Sequence, residues 1–143
     1  MSGATEILPG LWIGDLVSSR DFNFLKEKQI HTVVNVCYTV ADSQPPAKNV
    51  ITVDLSNSVR LLEQIDTCCN KIRAHLAQTN LLVYCEDGYR FAPVIVISYL
   101  MKITHLKLTD IITGLKTKRG DIDIALRPHM VLLMSYQKLL KIR

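Results

Sequence analysis

The chain has 143 residues, of which 48% are hydrophobic and 21% are charged, with a formal net charge of +4. This length fits one folded domain, expected over residues 1–143, that buries roughly two thirds of its unfolded surface. The positive excess is too mild for a nucleic-acid surface, and the longest apolar stretch, Phe91–Met101, is too short to span a bilayer.

The N-terminal half predicts strands separated by turns and one interrupted helix. Pro9-Gly10 lies between the short apolar segments Glu6–Leu8 and Leu11–Ile13, which indicates two strands joined by a turn. Apolar residues recur unevenly through Asp15–Gln29, as in a broken amphipathic helix. The next predicted segments are a buried parallel strand at His31–Val36, a loop at Asp42–Lys48 and a strand at Asn49–Val53.

The C-terminal half changes to helical spacing, with one strand inside it. Apolar residues recur every three or four positions from Arg60 to about Ala77, which predicts an amphipathic helix. Leu81–Tyr84 follows as a strand, and Phe91–Ile103 is apolar on all sides and therefore a buried helix. The remaining predicted helices are Thr109–Lys118 and one that begins at Pro128, since proline is tolerated in a first turn.

Strands that alternate with helices predict an α/β fold with a central, mostly parallel sheet of about five strands flanked by helices. Ligands bind such sheets at the carboxyl ends of the strands. Cys85 lies at this end of the predicted strand Leu81–Tyr84.

The loop after Cys85 has the order of an anion-binding cradle: a strand, a short loop that contains Gly88, and a helix N-terminus. Backbone N–H groups and the helix dipole converge in such a loop. A cysteine at its base is the natural nucleophile toward a phosphate ester. However, Glu86 and Asp87 place two negative charges where a dianion would sit.

The four cysteines, Cys37, Cys68, Cys69 and Cys85, show no paired spacing. Adjacent residues on a helix cannot both face one ligand, so no metal site and no cofactor are expected. The N-terminal residues lack the basic and apolar regions of a signal peptide. Reduced thiols then favour a cytoplasmic or nuclear protein.

Three parts of the chain together carry a resemblance to a known family: the segments Ile7–Asp15 and Ile30–Val36, and Arg119 with the Arg127-Pro128 region, which looks like the family's last helix and the basic segment before it. In order and spacing they resemble the small dual-specificity protein phosphatases, from about Thr5 to Leu140. The resemblance implies the fold of that family. It also implies a catalytic cysteine, a phosphate-binding loop and an aspartic acid that protonates the leaving group.

The family's loop reads His-Cys-x-x-Gly-x-x-Arg-Ser/Thr, and this chain keeps only Cys85 and Gly88 of it. Phe91 stands in the place of the arginine that grips the phosphate. Arg90 comes one residue early, and Asp54 lies one position from the general acid's place. The other replaced positions are Tyr84 for the histidine, Ala92 for the hydroxyl residue and Leu55 for the general acid.

These losses favour a pseudophosphatase, in which Cys85 is a vestigial nucleophile and the loop Glu86, Asp87, Gly88, Tyr89 and Arg90 binds a partner or phosphate. The expected partner is a protein, with a phosphoprotein and a kinase as candidates, or a basic segment that the acids attract. One alternative is a weak or specialised phosphatase that uses Cys85, with Arg90 reaching into the loop and Asp54 as the acid. Another is a sulfur-transfer domain of similar topology. Surface loops such as Tyr38–Lys48 are expected to set specificity.

Overall fold

The computed structural model describes residues 3–36, 45–56, 59–124 and 127–142. For Arg127 it describes the backbone alone. Cys37, most of the predicted loop Tyr38–Lys48 and the first three residues of the predicted loop Asp42–Lys48 lie outside the described residues. The elements in chain order are β1 (Thr5–Leu8), β2 (Leu11–Gly14), α1 (Leu16–Arg20), α2 (Phe22–Glu27), β3 (Ile30–Asn35), β4 (Asn49–Thr52), α3 (Leu61–Leu76), β5 (Asn80–Tyr84), α4 (Ala92–Thr104), α5 (Leu108–Lys118) and α6 (Arg127–Leu139).

The five strands form one sheet in the order β1-β2-β5-β3-β4. Only the β1–β2 pair is antiparallel, because these two strands are joined by the tight turn at Pro9-Gly10. The pairs β2–β5, β5–β3 and β3–β4 are parallel. The predicted α/β fold with a mostly parallel five-stranded sheet is therefore confirmed.

Register brings three strands to the same end of the sheet. Gly14 of β2 and Asn35 of β3 are both paired with Tyr84 of β5. The residues that follow these strands therefore meet at one edge, and Cys85 is the residue that follows β5. This is the edge at which ligands bind in parallel sheets.

Alternate residues of the strands supply hydrophobic cores on the two faces of the sheet. Val83 and Cys85 belong to the larger core, which packs beneath α3, α4, α5 and α6. Leu82 and Tyr84 belong to the smaller core, with Phe24 and Leu25 of α2. The two-residue period of a strand thus places Cys85 and its neighbour Tyr84 on opposite faces.

The predicted helix at Asp15–Gln29 is broken at Asp21, as its uneven apolar spacing indicated. The Asp21 N–H donates to the Ser18 carbonyl at the end of α1, while its carboxylate accepts the N–H of Phe24 in the first turn of α2. One residue therefore ends one helix and caps the next.

Helix α4 is the central helix, and all of its residues from Ala92 to Met101 are buried. It begins at Ala92, so Phe91 lies at its N-cap and not inside it. Across the part of the chain that the structure describes, no helix has the length and apolar character needed to cross a membrane.

Candidate functional site

The candidate site is the loop between β5 and α4, from Cys85 to Phe91 (the site loop). Backbone hydrogen bonds tie this loop to two other segments. The Leu16 N–H at the start of α1 donates to the Glu86 carbonyl at 3.2 Å, and the Asp123 N–H donates to the Tyr89 carbonyl at 2.8 Å. The loop is therefore held at both ends by the chain segments beside it.

The thiol of Cys85 is fully buried at the base of the loop. Its Sγ accepts the N–H of Gly88 at 3.2 Å. Burial raises the pKa of this thiol above its ordinary value, and the negative charge of Asp87 adds to the rise. The N–H groups of Ala92, Phe91 and Gly88 lower the pKa but do not overcome the burial. Because its pKa is raised, Cys85 is mostly a neutral thiol at neutral pH.

The carboxylate of Asp87 folds back into the site loop. Its Oδ1 accepts the N–H of Tyr89 at 2.8 Å and lies 3.8 Å from the Sγ of Cys85, whose S–H can donate to it. One backbone donor of the loop is therefore already satisfied by a side chain of the same loop.

The side chain of Arg90 lies at the surface of the loop, with 56% of it exposed. Its Nε lies 3.8 Å from Oδ2 of Asp87, which makes an ion pair within the loop. An ion pair this exposed contributes roughly 0–1 kcal/mol to stability. The guanidinium is thus engaged at the surface, on the outer side of the Asp87 carboxylate.

Phe91 packs against the core and not toward the loop. Its ring meets the ring of His129 edge to face, with centroids 5.0 Å apart. His129 is buried on α6, and burial lowers the pKa of its imidazole. An aromatic contact therefore occupies the position between the site loop and the last helix.

Arg119, which follows α5, supports the loop from behind and is only 7% exposed. Its Nε donates to the Gly88 carbonyl at 3.2 Å, and Nη1 donates to Oγ1 of Thr5 at 2.9 Å. The guanidinium carbon lies 4.8 Å from the ring centroid of Tyr89, a cation–π contact. Apart from the resemblance of its basic segment, nothing in the sequence identifies Arg119 as part of this site, since 31 residues separate it from Gly88.

Asp54 lies in the short segment after β4, exposed to solvent. Its Oδ1 accepts the N–H of Ser56 at 2.9 Å and also the Ser56 hydroxyl. Leu55, the neighbouring residue, is partly buried and packs on the larger core. The structure thus shows the Asp54 carboxylate bound within its own turn. Its role as an acid stays a prediction.

The described residues contain no group of three or more His, Cys, Asp or Glu side chains arranged to hold a metal ion. Cys68 and Cys69 are both buried in α3, where burial raises the pKa of each thiol to about 12. Thiols with so high a pKa are poor metal ligands at neutral pH.

Residues 11–139 match the family model described as the dual specificity phosphatase catalytic domain. This chain belongs to the dual-specificity phosphatase family. Mouse dual specificity protein phosphatase 15 is 26% identical over 123 residues, which cover 82% of this chain and 51% of the relative. The chain thus spans about half the length of this curated relative.

Two solved structures show the same fold in a dual-specificity phosphatase and in a phosphatase-like protein. The crystal structure of human DUSP28 superposes with a TM-score of 0.85 at 20% identity, covering 99% of this chain and 97% of that one. The crystal structure of human tyrosine phosphatase-like serine/threonine/tyrosine-interacting protein gives a TM-score of 0.83 at 19% identity, covering 95% and 96%. At these identities the similarity shows the fold.

Proposed function

We propose that this dual-specificity phosphatase domain is a pseudophosphatase, which acts by binding a protein and not by hydrolysing phosphate esters. The observation that carries the proposal is Phe91, which stands in the arginine's place of the signature loop and packs on His129. No guanidinium therefore comes from that position to hold the phosphoryl oxygens.

The magnitudes support a severe loss of catalysis. Removing one donor that stabilises transition-state charge costs about 10²–10³ in rate, and a lost general acid costs about 10²–10⁴. These factors do not simply multiply, because residues of one catalytic unit act together. The raised pKa of Cys85 further reduces the fraction of reactive thiolate.

A binding role also agrees with the name of one structural neighbour, the human tyrosine phosphatase-like serine/threonine/tyrosine-interacting protein. Arg90 and Asp87 are both well exposed at the mouth of the site loop, where a partner can reach them. The partner we propose is a protein, with a phosphoprotein and a kinase as the candidate classes. The proposed compartment is the cytoplasm or the nucleus.

The alternative is a weak phosphatase that uses Cys85. It is favoured by the N–H groups of Gly88, Phe91 and Ala92, which surround the thiol and oppose the effect of burial on its pKa. For this alternative, Arg90 must leave Asp87 and enter the loop, and Asp54 must leave Ser56 and act as the acid.

Hydrolysis of a small aryl phosphate by the purified chain, from pH 5 to pH 8, separates the two proposals. We expect no turnover that differs from the Cys85→Ser variant, measured beside an active dual-specificity phosphatase as a positive control. Thermal unfolding of both proteins checks that each is folded. Turnover that disappears in Cys85→Ser would contradict the pseudophosphatase proposal. The variants Arg90→Ala and Asp54→Asn would then test the alternative.

A further inference from the structure

The site loop contains its own anion. The Asp87 carboxylate accepts the Tyr89 N–H through Oδ1, which also lies 3.8 Å from the Sγ of Cys85. The second oxygen, Oδ2, lies 3.8 Å from Nε of Arg90. One carboxylate therefore engages a backbone donor, the thiol and the exposed guanidinium of the same loop.

A phosphate that entered this loop would need the same groups. It would have to displace Asp87 from Tyr89 N–H and from Arg90, or approach while the carboxylate stays in place. If the carboxylate stayed, the two negative charges would repel each other. For like charges about 4 Å apart, this repulsion weakens binding roughly fivefold in bulk water and about a thousandfold in a partly buried site. Asp87 is half exposed, so its effect lies between these limits.

Two other features of the loop fix the position of this carboxylate. The buried Arg119 holds the turn that follows Asp87, because its Nε donates to the Gly88 carbonyl. Gly88 has a φ of +79° and turns the chain between Asp87 and Tyr89. This turn lets the Asp87 side chain reach the N–H two residues ahead, as aspartate does in tight turns.

We infer that Asp87 is the resident anion of the site loop and excludes phosphate and other tetrahedral oxyanions from it. This inference deepens the proposed function, on which it rests, because it names the residue that keeps phosphate out of the same loop. On this proposal phosphate chemistry is lost for two separate reasons: Phe91 removes the gripping cation, and Asp87 occupies a backbone N–H and a guanidinium that a phosphate would need.

Binding of inorganic phosphate and of tungstate, measured by isothermal titration calorimetry at pH 7, tests this inference. The proteins are the wild type, Asp87→Asn, Asp87→Ala and the matched control Glu86→Gln, which makes the same change of charge one residue away. Asp87→Asn retains an oxygen that can accept the Tyr89 N–H, so its loop is expected to stay folded. Thermal unfolding checks this for every variant.

We expect both Asp87 variants to bind the oxyanions at least about tenfold more tightly than the wild type, and Glu86→Gln to change affinity by less than about threefold. Two results would overturn the inference: a wild type that binds as tightly as the Asp87 variants, or a gain in Glu86→Gln equal to theirs. Wild-type binding as tight as that of the Asp87 variants, without turnover, overturns only this inference. Cysteine-dependent turnover with a KM that Asp87→Asn leaves unchanged overturns the proposed function as well.

Discussion

The thiol of Cys85 has none of its surface exposed, and three backbone N–H groups are directed at it. These two conditions act in opposite directions on its pKa: burial disfavours the thiolate, and the N–H groups favour it. Burial is the larger cause, and the pKa is raised. A cysteine can therefore keep its place in a signature loop while its surroundings remove most of its nucleophilic form.

Alkylation by iodoacetamide measures this directly. Because only the thiolate reacts, we expect the modification of Cys85 to be slow at pH 7 and to increase about tenfold per pH unit through pH 9. Peptide mass spectrometry follows each cysteine separately. Cys68 and Cys69 serve as internal controls, since their pKa values are raised further, to about 12. Rapid modification of Cys85 at pH 6 to 7 would show a lowered pKa and contradict the burial argument.

Gly88 is the residue on which the shape of the site loop depends. A Cβ at this position would lie 2.5 Å from Nη2 of Arg119 and 2.8 Å from the Gly14 carbonyl oxygen, and the backbone φ is +79°. We expect Gly88→Ala to lower the free energy of unfolding by at least about 1–2 kcal/mol, from the positive φ alone. The measurement is urea denaturation at pH 7.

Gly114 is the matched control for that substitution. It lies in α5, and a Cβ added there meets nothing within 4 Å. Gly114→Ala is expected to raise the free energy of unfolding by up to about 1 kcal/mol, because alanine is the better helix former. Equal effects of the two substitutions would show that Gly88 is under no special constraint.

At the scale of the elements, three helices meet in one polar cluster beside the larger core. Asp66 of α3 accepts hydrogen bonds from Nζ of Lys102 on α4 at 2.6 Å and from the hydroxyl of Tyr136 on α6 at 2.7 Å. The hydrogen bond from Lys102 is the largest cause that lowers the pKa of Asp66 below its ordinary value of 3.8, and that from Tyr136 adds to it. A single carboxylate therefore joins three helices.

This cluster predicts an acid-sensitive part of the stability. Folding lowers the pKa of this carboxyl group, so the group stabilises the folded protein at pH values above the pKa that it has in the unfolded chain. This stabilisation is lost as the pH falls through the lower pKa of the folded state. We expect Asp66→Asn to cost about 1 kcal/mol at pH 7, a value reduced because the side chain is about a third exposed. The difference from the wild type should shrink below pH 4 in urea denaturation.

Glu63→Gln is the control for that variant, since Glu63 is an exposed acid on the same helix and its ion pair with Arg60 is open to solvent. Its effect on the free energy of unfolding should be within about 0.5 kcal/mol at either pH. A cost of Asp66→Asn that stays constant from pH 7 to pH 3 would mean that the charge of Asp66 does not contribute.

At the scale of the whole molecule, the fold could be predicted because each strand, helix and turn shows its own pattern within a short stretch of sequence. The β-branched strand at Ile30–Asn35, the apolar helix α4 and the turn at Pro9-Gly10 each show a clear period or a turn signal. Their alternation then allows few topologies, because parallel strands need crossover connections. The position of Cys85 at the carboxyl edge of the sheet followed from the same alternation.

The interior of the site could not be predicted in the same way, because its contacts join residues far apart in the chain. Arg119 contacts Gly88 and Thr5, and Phe91 contacts His129. No periodic pattern links such positions in a single sequence. The ion pair between Arg90 and Asp87 differs from these contacts, because its residues are only three apart in one loop.

The contacts of Arg119 with Thr5 and Gly88 also determine when the site loop can reach its final structure during translation of the chain. The hydrogen bond between Arg119 and Thr5 spans 114 positions. A ribosome releases the N-terminal residues first, so β1 leaves long before the residue that joins it to the site loop. The loop therefore lacks its rear support until the chain has been translated through α5. Nascent chains that stop before residue 119 should then show faster proteolysis within residues 85–91 than longer ones.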